Sequence, residues 1–288
     1  MKGYDIMNSF IKTILFYLLS VGVLAGMYVL LWKGIIPSTA FILALACHIV
    51  VTLIIRRYQK KIKALVEEDE QISLILDKEL DPEKFLKEMT LFSEKYKFPI
   101  DMWLRNKISL GSGFNASGRI AEQIELYEKL LLKDNNEKYL PKSLRTVVYS
   151  NLSVAYLSNK NLNKALQHYA IFKISRNYKL MRRYRPNAIT RVEATIAYLE
   201  GRYDEALTSM CNLLHTEQTN YQKMDTHFQL GQIYKAIGDV KSQTEHLQYV
   251  AKHGNKLHIA NVAREMLVNM DKSSDTGGSN ENRKRTDE

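Results

Sequence analysis

The apolar positions of this chain change rhythm twice. Up to residue 55 they run almost unbroken. Ile11 to Trp32 and Ile36 to Ile55 form two apolar stretches, separated by a short turn around Lys33, Gly34 and Ile35. About 20 apolar residues let a helix cross a bilayer, so each stretch predicts a spanning helix and the pair predicts a hairpin over residues 1–56. Polar residues then break in, and apolar ones return at helical intervals. Ile62, Leu65, Ile72 and Leu76 carry helical spacing straight on from the second stretch, through the acidic run Glu67-Glu68-Asp69-Glu70. The seam is too brief to specify a coiled coil. Asp81-Pro82-Glu83 reads as an N-cap, a proline at the first helical position and an acid in the first turn. The helix it opens carries Phe85, Leu86, Met89 and Phe92 on one face and ends near Phe98-Pro99. Residues 57–100 are therefore read as juxtamembrane linker helices.

Charge orients the hairpin. Arg56, Arg57, Lys60, Lys61 and Lys63 follow the second stretch with no acid among them. Lys2 and Lys12 flank the first stretch, and only Lys33 lies in the turn. This bias predicts a multi-pass protein of the cell membrane with both termini in the cytoplasm. Trp32 and Tyr28 suit the outer boundary. A cleaved signal peptide is the rival reading, with Lys2 and Lys12 as its n-region and Ala25 as a small residue. Against it, the stretch exceeds a usual h-region and no small-x-small site ends it. Gly22 and Gly26, like Ala40 and Ala44, lie four apart, a spacing that lets helices approach closely in lipid. They form either a dimerisation face, and so a homo-oligomer, or the contact between the two helices of one hairpin, which is favoured. His48, deep in the second stretch and without a partner carboxylate, points only weakly to a proton or metal path. The two cysteines, Cys47 and Cys211, imply no disulfide framework and fit a reducing compartment.

From residue 101 one theme recurs. A helix carries an aromatic, a leucine, a small residue and a second aromatic; a turn follows; a second helix carries a small residue and then an aromatic. The clearest copy has Tyr149, Leu152, Ser153 and Tyr156, the turn Asn159-Lys160-Asn161, then Ala165, Tyr169 and Phe172. The next has Ala194, Ala197, Gly201, Tyr203, Ala206 and Met210. A third has Leu230, Gly231, Tyr234, Gly238, Leu247 and Val250, with Gln243 in the small position. The earliest has Leu110, Gly111, Phe114, Gly118, Tyr127 and Leu130, with Gln123 there. These residues resemble the tetratricopeptide repeat over about 170 residues. The spacings, 41 from Ala165 to Ala206 and 37 from Ala206 to Gln243, exceed the family period of about 34. Longer helices or loops account for the excess, and Gln243 implies a looser helix pair. Residues 101–271 are read as the array, closed by a capping helix from Lys256 to Met270 with Ile259, Val262, Ala263 and Leu267 inward. Residues 272–288 read as a disordered tail.

The resemblance implies an all-α fold, an α-solenoid behind the hairpin. It also implies that a protein or peptide lies along the concave side. Outward polar positions of the first helices, Asn151, Arg191, Gln229 and Gln232, are then the groove candidates, against a merely solvated face. A second candidate surface is the acid-free run from Lys173 to Arg191, which includes Arg182, Arg183 and Arg185 with Tyr178, Tyr184 and Pro186 between. Arginine forks favour carboxylate or phosphate. An acidic partner, lipid headgroups or RNA could meet it, with an acidic protein segment or the membrane as the expected partner, and a solvated charge run is the alternative.

The formal charge of +10 asks for an anionic partner. Anionic headgroups attract juxtamembrane cations by about 1 kcal/mol each. Nucleic acid ranks well below lipid, because the charge sits on no DNA- or RNA-binding motif. No zinc-protease helix motif, phosphate loop or nucleophile elbow occurs, and the histidines show no metal-ligand spacing. No catalytic residue, cofactor or metal is expected. The Lys-, Ile- and Asn-rich composition points to a bacterium of low GC content. The expected role is a membrane-anchored adaptor. A peptide-sensing regulator and a non-catalytic subunit of a transport or assembly complex are the rivals.

Overall fold

The structure is a computed structural model that describes residues 21–35, 37–132, 140 and 142–281. The chain divides into two compact units, Met1–Glu68 and Asp69–Glu288.

In the first unit, helix α1 (Val21–Trp32) turns through Gly34, at φ +69°, into α2 (Ser38–Leu74). The rings of Tyr28 and Phe41 meet across the two helices, 5.9 Å apart. Among the described residues one helical stretch, Ser38–Glu79, is long and apolar enough to cross a membrane by length and composition. Ile11 to Ser20 lie outside the described residues and α1 is described only from Val21, so the expected hairpin is described here in one of its two spans. A side chain added at Gly22 or Gly26 would meet nothing within 4 Å among the described residues. Ala40 and Ala44 are half-buried. Arg56, Arg57, Lys60, Lys61 and Lys63 all stand exposed on α2, and Lys63 pairs with Glu67 one turn on at 3.7 Å. The helix continues unbroken past this cluster, then widens into a π-turn at Ile75–Glu79.

Among the described residues of the second unit every regular element is a helix. Asp81 caps α3 (Pro82–Lys95) by accepting a hydrogen bond from the Lys84 amide at 3.1 Å, with Pro82 in the first turn, where a missing N–H costs nothing. Then come α4 (Ile100–Ala116), α5 (Ile120–Leu131), α6 (Lys142–Ser158), α7 (Leu162–Lys173), α8 (Arg176–Tyr184), α9 (Pro186–Leu199), α10 (Tyr203–Leu214), α11 (Asn220–Ile237), α12 (Val240–His253) and α13 (His258–Glu281). Helices α4/α5, α6/α7, α9/α10 and α11/α12 pack as sequential pairs. Each pair turns on one left-handed residue: Gly118 (φ +79°), Lys160 (+57°), Gly201 (+80°) and Gly238 (+82°). Seven positions before each stands a small residue: Gly111, Ser153, Ala194 and Gly231. Backbone conformation and side-chain size thus repeat in one register.

The two glutamines at small positions are accommodated by glycine on the facing helix. Gln123 is buried, and Gly111 opposite lies so close to the Tyr127 ring that any side chain there would collide with it. Gln243 is buried likewise, and a side chain at Gly231 would press on Leu247 at 3.0 Å. The expected loosening at Gln243 is therefore offset by a residue with no side chain. Where the second helix carries Ala165 or Ala206, both fully buried, the first helix carries Ser153 or Ala194. Tyr156, Tyr169 and Phe172 are core residues, each 6% exposed or less.

The long period from Ala165 to Ala206 comes from α8, an extra helix between two pairs. Ser175 caps it by accepting from the Tyr178 amide at 3.1 Å. Asn177 donates to Thr146 of α6 at 2.5 Å, and Tyr178 is buried with its ring edge-on to Phe172. At the far end, Leu257 just before α13 is buried with Ala260 and Ala263 of that helix, and Ile259, Val262 and Leu267 are half-covered. It runs on to Glu281, past Lys272, where the sequence suggests that order ends. A nucleated helix adds one hydrogen bond per residue at little further cost. Residues 282–288 lie outside the described chain.

Lys160 is the one turn residue of the four that is not glycine, and the left-handed conformation costs an L-residue about 1 kcal/mol or more. Lys160→Gly should therefore stabilise the full chain by about 1 kcal/mol, and Gly238→Val should destabilise it by more than that. Thermal melting followed by circular dichroism in detergent checks both.

Candidate partner-binding surfaces

The four groove candidates lie on first helices, as the repeat register requires, but they make separate contacts. Asn151 donates to the Val147 carbonyl of its own helix at 2.8 Å. Gln232 points its amide at Met266 of α13, 3.9 Å from the sulfur. Gln229 is half-buried on α11. Arg191 is the most heavily engaged. Its guanidinium donates to Asp225 at 3.0 Å, Thr226 at 2.6 Å, Gln218 at 2.8 Å and the Gln222 carbonyl at 3.3 Å. Its side chain is 18% exposed. Arg191 therefore ties α9 to the start of α11, and its fork faces partners from its own chain. Among the described residues no hydrogen bond joins any two of the four.

The array also closes on itself. The Asp77 carboxylate accepts from the Tyr221 amide in the first turn of α11, at 3.4 Å. Asn255 donates its side-chain amide to the Glu79 carbonyl at 2.6 Å, and the Lys256 amide donates to the Leu80 carbonyl at 3.3 Å. The Lys256 ammonium reaches Asp81 at 2.6 Å. The His258 ring packs directly on Gly118, where no side chain would fit. Leu80 and Asn255 hold left-handed backbone at φ +52° and +45°, strained for residues with a Cβ. Residues 77–81, which lead into α3 ahead of the array, thus clasp the α11 start and the α12–α13 corner. Lys256 holds the Asp81 carboxyl below its usual range against an opposing cost of burial.

Two polar clusters have no counterpart in the sequence reading. Glu193 stands on α9 where the other first helices carry Leu110, Leu152 and Leu230. Tyr169 and Tyr178 both donate to its Oε1, at 3.0 and 3.3 Å. Burial, then Glu193, pushes the Tyr169 phenol far above its ordinary range. The inserted α8 supplies Tyr178, and so supplies half of what an inward carboxylate needs. The second cluster lies between α11 and α12. His227 and His246 approach through their Nδ1 atoms at 2.9 Å, His227 stacks on Tyr249 at 3.9 Å, and His246 stacks on Tyr234. Burial, then His246, Lys223 and His253, lowers the His227 pKa to about 4; burial lowers that of His246 too. Among the described residues no group of three or more His, Cys, Asp or Glu could hold a metal.

The basic run is the most accessible of these surfaces. Lys173 on α7, Arg176, Lys179, Arg182 and Arg183 on α8, and Arg185 between α8 and α9 are all exposed. Arg182 donates to the Tyr178 hydroxyl at 3.3 Å, and Arg183 lies over the Tyr184 ring. An open pocket of about 280 Å³ at the α3–α4 corner is walled by Tyr96, Phe98 and Trp103 with Lys97 and Lys107. Its Asn106 is turned to the Ser93 hydroxyl at 2.6 Å and the Met89 sulfur at 3.0 Å, which makes it part of the core.

No protein-family profile matches the chain, and no curated protein matches it. Solved structures do. A protein from Podosopora anserina, described as a kinesin light chain with nearly identical TPR-like repeats, is 15% identical over 66% of this chain and 95% of its own, with a TM-score of 0.37. The protein BtubC (BKLC) from P. vanneervenii is 18% identical over 68% of this chain and 84% of its own, at 0.38.

The His227 shift predicts acid sensitivity. The folded chain keeps this imidazole neutral down to about pH 4, while an unfolded one takes up a proton near 6.5. Its contribution is whole above about 6.5 and is lost as pH falls toward 4. The melting temperature should fall across that window, and less steeply in His227→Phe.

Proposed function

We propose that this chain is a membrane-anchored helical-repeat adaptor that holds a protein or peptide partner at the cytoplasmic face. The observation that carries the reading is α2 itself. One helix begins apolar enough to span a bilayer, passes five exposed cations just beyond the apolar stretch, and continues to the first residues of the repeat unit. Cations flanking a span mark the cytoplasmic side. The two-helix hairpin, both termini inside and a homo-oligomer contact through Gly22 and Gly26 belong to this reading. Confinement to a membrane raises the effective concentration of whatever the array holds. Among the described residues, the Glu193 carboxylate is met by Tyr169 and Tyr178, and His227 and His246 meet each other.

A second reading is favoured by the clasp. A ligand that binds the array better when residues 77–81 are released from α11 and α13 would shift the chain toward an open form. The clasped segment follows directly on α2, so such a shift would act on the anchored end. This is the peptide-sensing alternative.

Protease added to intact cells should leave the chain beyond residue 56 whole, and should digest it once the membrane is inverted. Alkaline carbonate should fail to extract the chain. Digestion in intact cells would overturn the proposed orientation, and extraction would overturn the anchor.

The clasp can be tested separately. Lys256 is 66% exposed at its side chain and Asp81 12%, so the pair contributes no more than about 1 kcal/mol. Lys256→Ala should lower stability by that much, and the Asp81→Ala/Lys256→Ala cycle should show coupling. Equal and additive losses would mean that the contact is incidental.

A further inference from the structure

Between Glu137 and Glu193 the chain contains no Asp or Glu and carries twelve lysines and arginines. Of 41 basic and 31 acidic residues in all, the rest of the chain therefore holds 29 and 31. The entire cationic surplus lies in one block of the array. Helices α6, α7 and α8 and the start of α9 are built from that block.

Its exposed end is the α7–α8 corner, which is not simply charged. Ile174, the residue that ends α7, is 85% exposed, and Ile171 and Tyr184 are 41% and 63% exposed. Lys173 and Arg176 flank Ile174, Lys179, Arg182 and Arg183 follow on α8, and Arg185 comes directly after it. Glu193, the first acid after the block, accepts from Tyr169 and Tyr178 and is half-buried.

We infer that the α7–α8 corner is a peripheral docking surface for an anionic lipid bilayer. The partner is identified by two demands made together. Six exposed cations with no intervening acid require a negative surface, and a fluid anionic leaflet meets them without a geometric match. Protruding isoleucines and a tyrosine ring among those cations require an apolar layer just beneath the charge, which is the order of a headgroup region over acyl chains. A nucleic acid would supply the charge but would need a row of aromatic platforms for its bases, and Tyr184 is the one exposed ring here. An acidic protein segment would satisfy the arginines but leaves an isoleucine at this exposure without a stated apolar counterpart. Docking rests on the proposed anchor only in that a bilayer is then close at hand; the recognition itself requires only anionic lipid.

The test uses the full chain with Ile174→Cys, in a background of Cys47→Ser and Cys211→Ser that leaves one thiol. The exposure of Ile174 keeps this change out of the core. A polarity-sensitive dye on that thiol is read in vesicles of phosphatidylcholine alone and of phosphatidylcholine with phosphatidylglycerol. The expected result is a blue shift in the anionic vesicles alone, fading as salt is raised. It should be lost in Lys173→Glu/Lys179→Glu and in Arg182→Glu/Arg183→Glu/Arg185→Glu, with helical content followed by circular dichroism. The first variant leaves the Arg182–Tyr178 hydrogen bond in place, so it serves if the second misfolds. Unchanged emission in both vesicles would overturn the inference in favour of an acidic protein partner. Equal shifts in both would overturn it too, since apolar contact alone would then explain them. Carbonate extraction reads the anchor independently. A chain that is extracted yet shows the anionic shift fails the anchor and keeps the docking; one that resists extraction without the shift does the reverse.

Discussion

How closely two helices of a pair can approach is set by the residue at their crossing, and the rest of the array is adjusted to that distance. Protein interiors are packed to near-crystalline density, so one oversized side chain is felt at once. Here the crossing is shared between facing positions. Gly111 makes room for the Tyr127 ring beside buried Gln123, and Gly231 for Leu247 beside buried Gln243. The alanine pairs Ala165 and Ala206 need no such concession. Pairs that look unequal in sequence are therefore balanced in space, and the left-handed turn seven residues on reverses the chain at the same point in each.

Departures from the repeat are coupled. Glu193 replaces a leucine-type position, and an inward carboxylate is tolerable only when hydrogen-bonded. The inserted α8 brings Tyr178 to it, beside Tyr169 from the neighbouring pair. The same insertion lengthens the period to 41 residues and creates the exposed basic corner. One nine-residue helix thus links an internal polar contact to an external charged surface.

The helical pairs, their turns and the α3 cap were legible because each rests on local chemistry: small residues, glycine and an Asp-Pro start. Gln243 misled because the compensating Gly231 sits on the other helix, and only packing joins them. Arg191 looked available because a cation on an outward face gives no sign of hydrogen-bond acceptors 27 to 35 residues away, one of them the Asp225 carboxylate. Its partners Asp225, Thr226 and Gln218 are fixed by the stacking of α9 on α11. The contacts of Asp77, Glu79 and Leu80 with Tyr221, Asn255 and Lys256 span up to 176 residues and leave no local pattern at either end. The two-helix reading of the N-terminus rested on run length. About half of that run, Ile11 to Ser20, lies outside the described residues.

A stack of repeats normally behaves as a chain of nearest-neighbour couplings, in which either end can fray while the middle holds. Joining the opening segment to the last helices removes both free ends. Melting should then be shared around the whole circuit instead of creeping inward, and folding must wait for the most distant contact in the unit to form. The loss of a terminal helix would be felt first at the opposite terminus. Cooperativity here is a property of the closure and not of any single repeat.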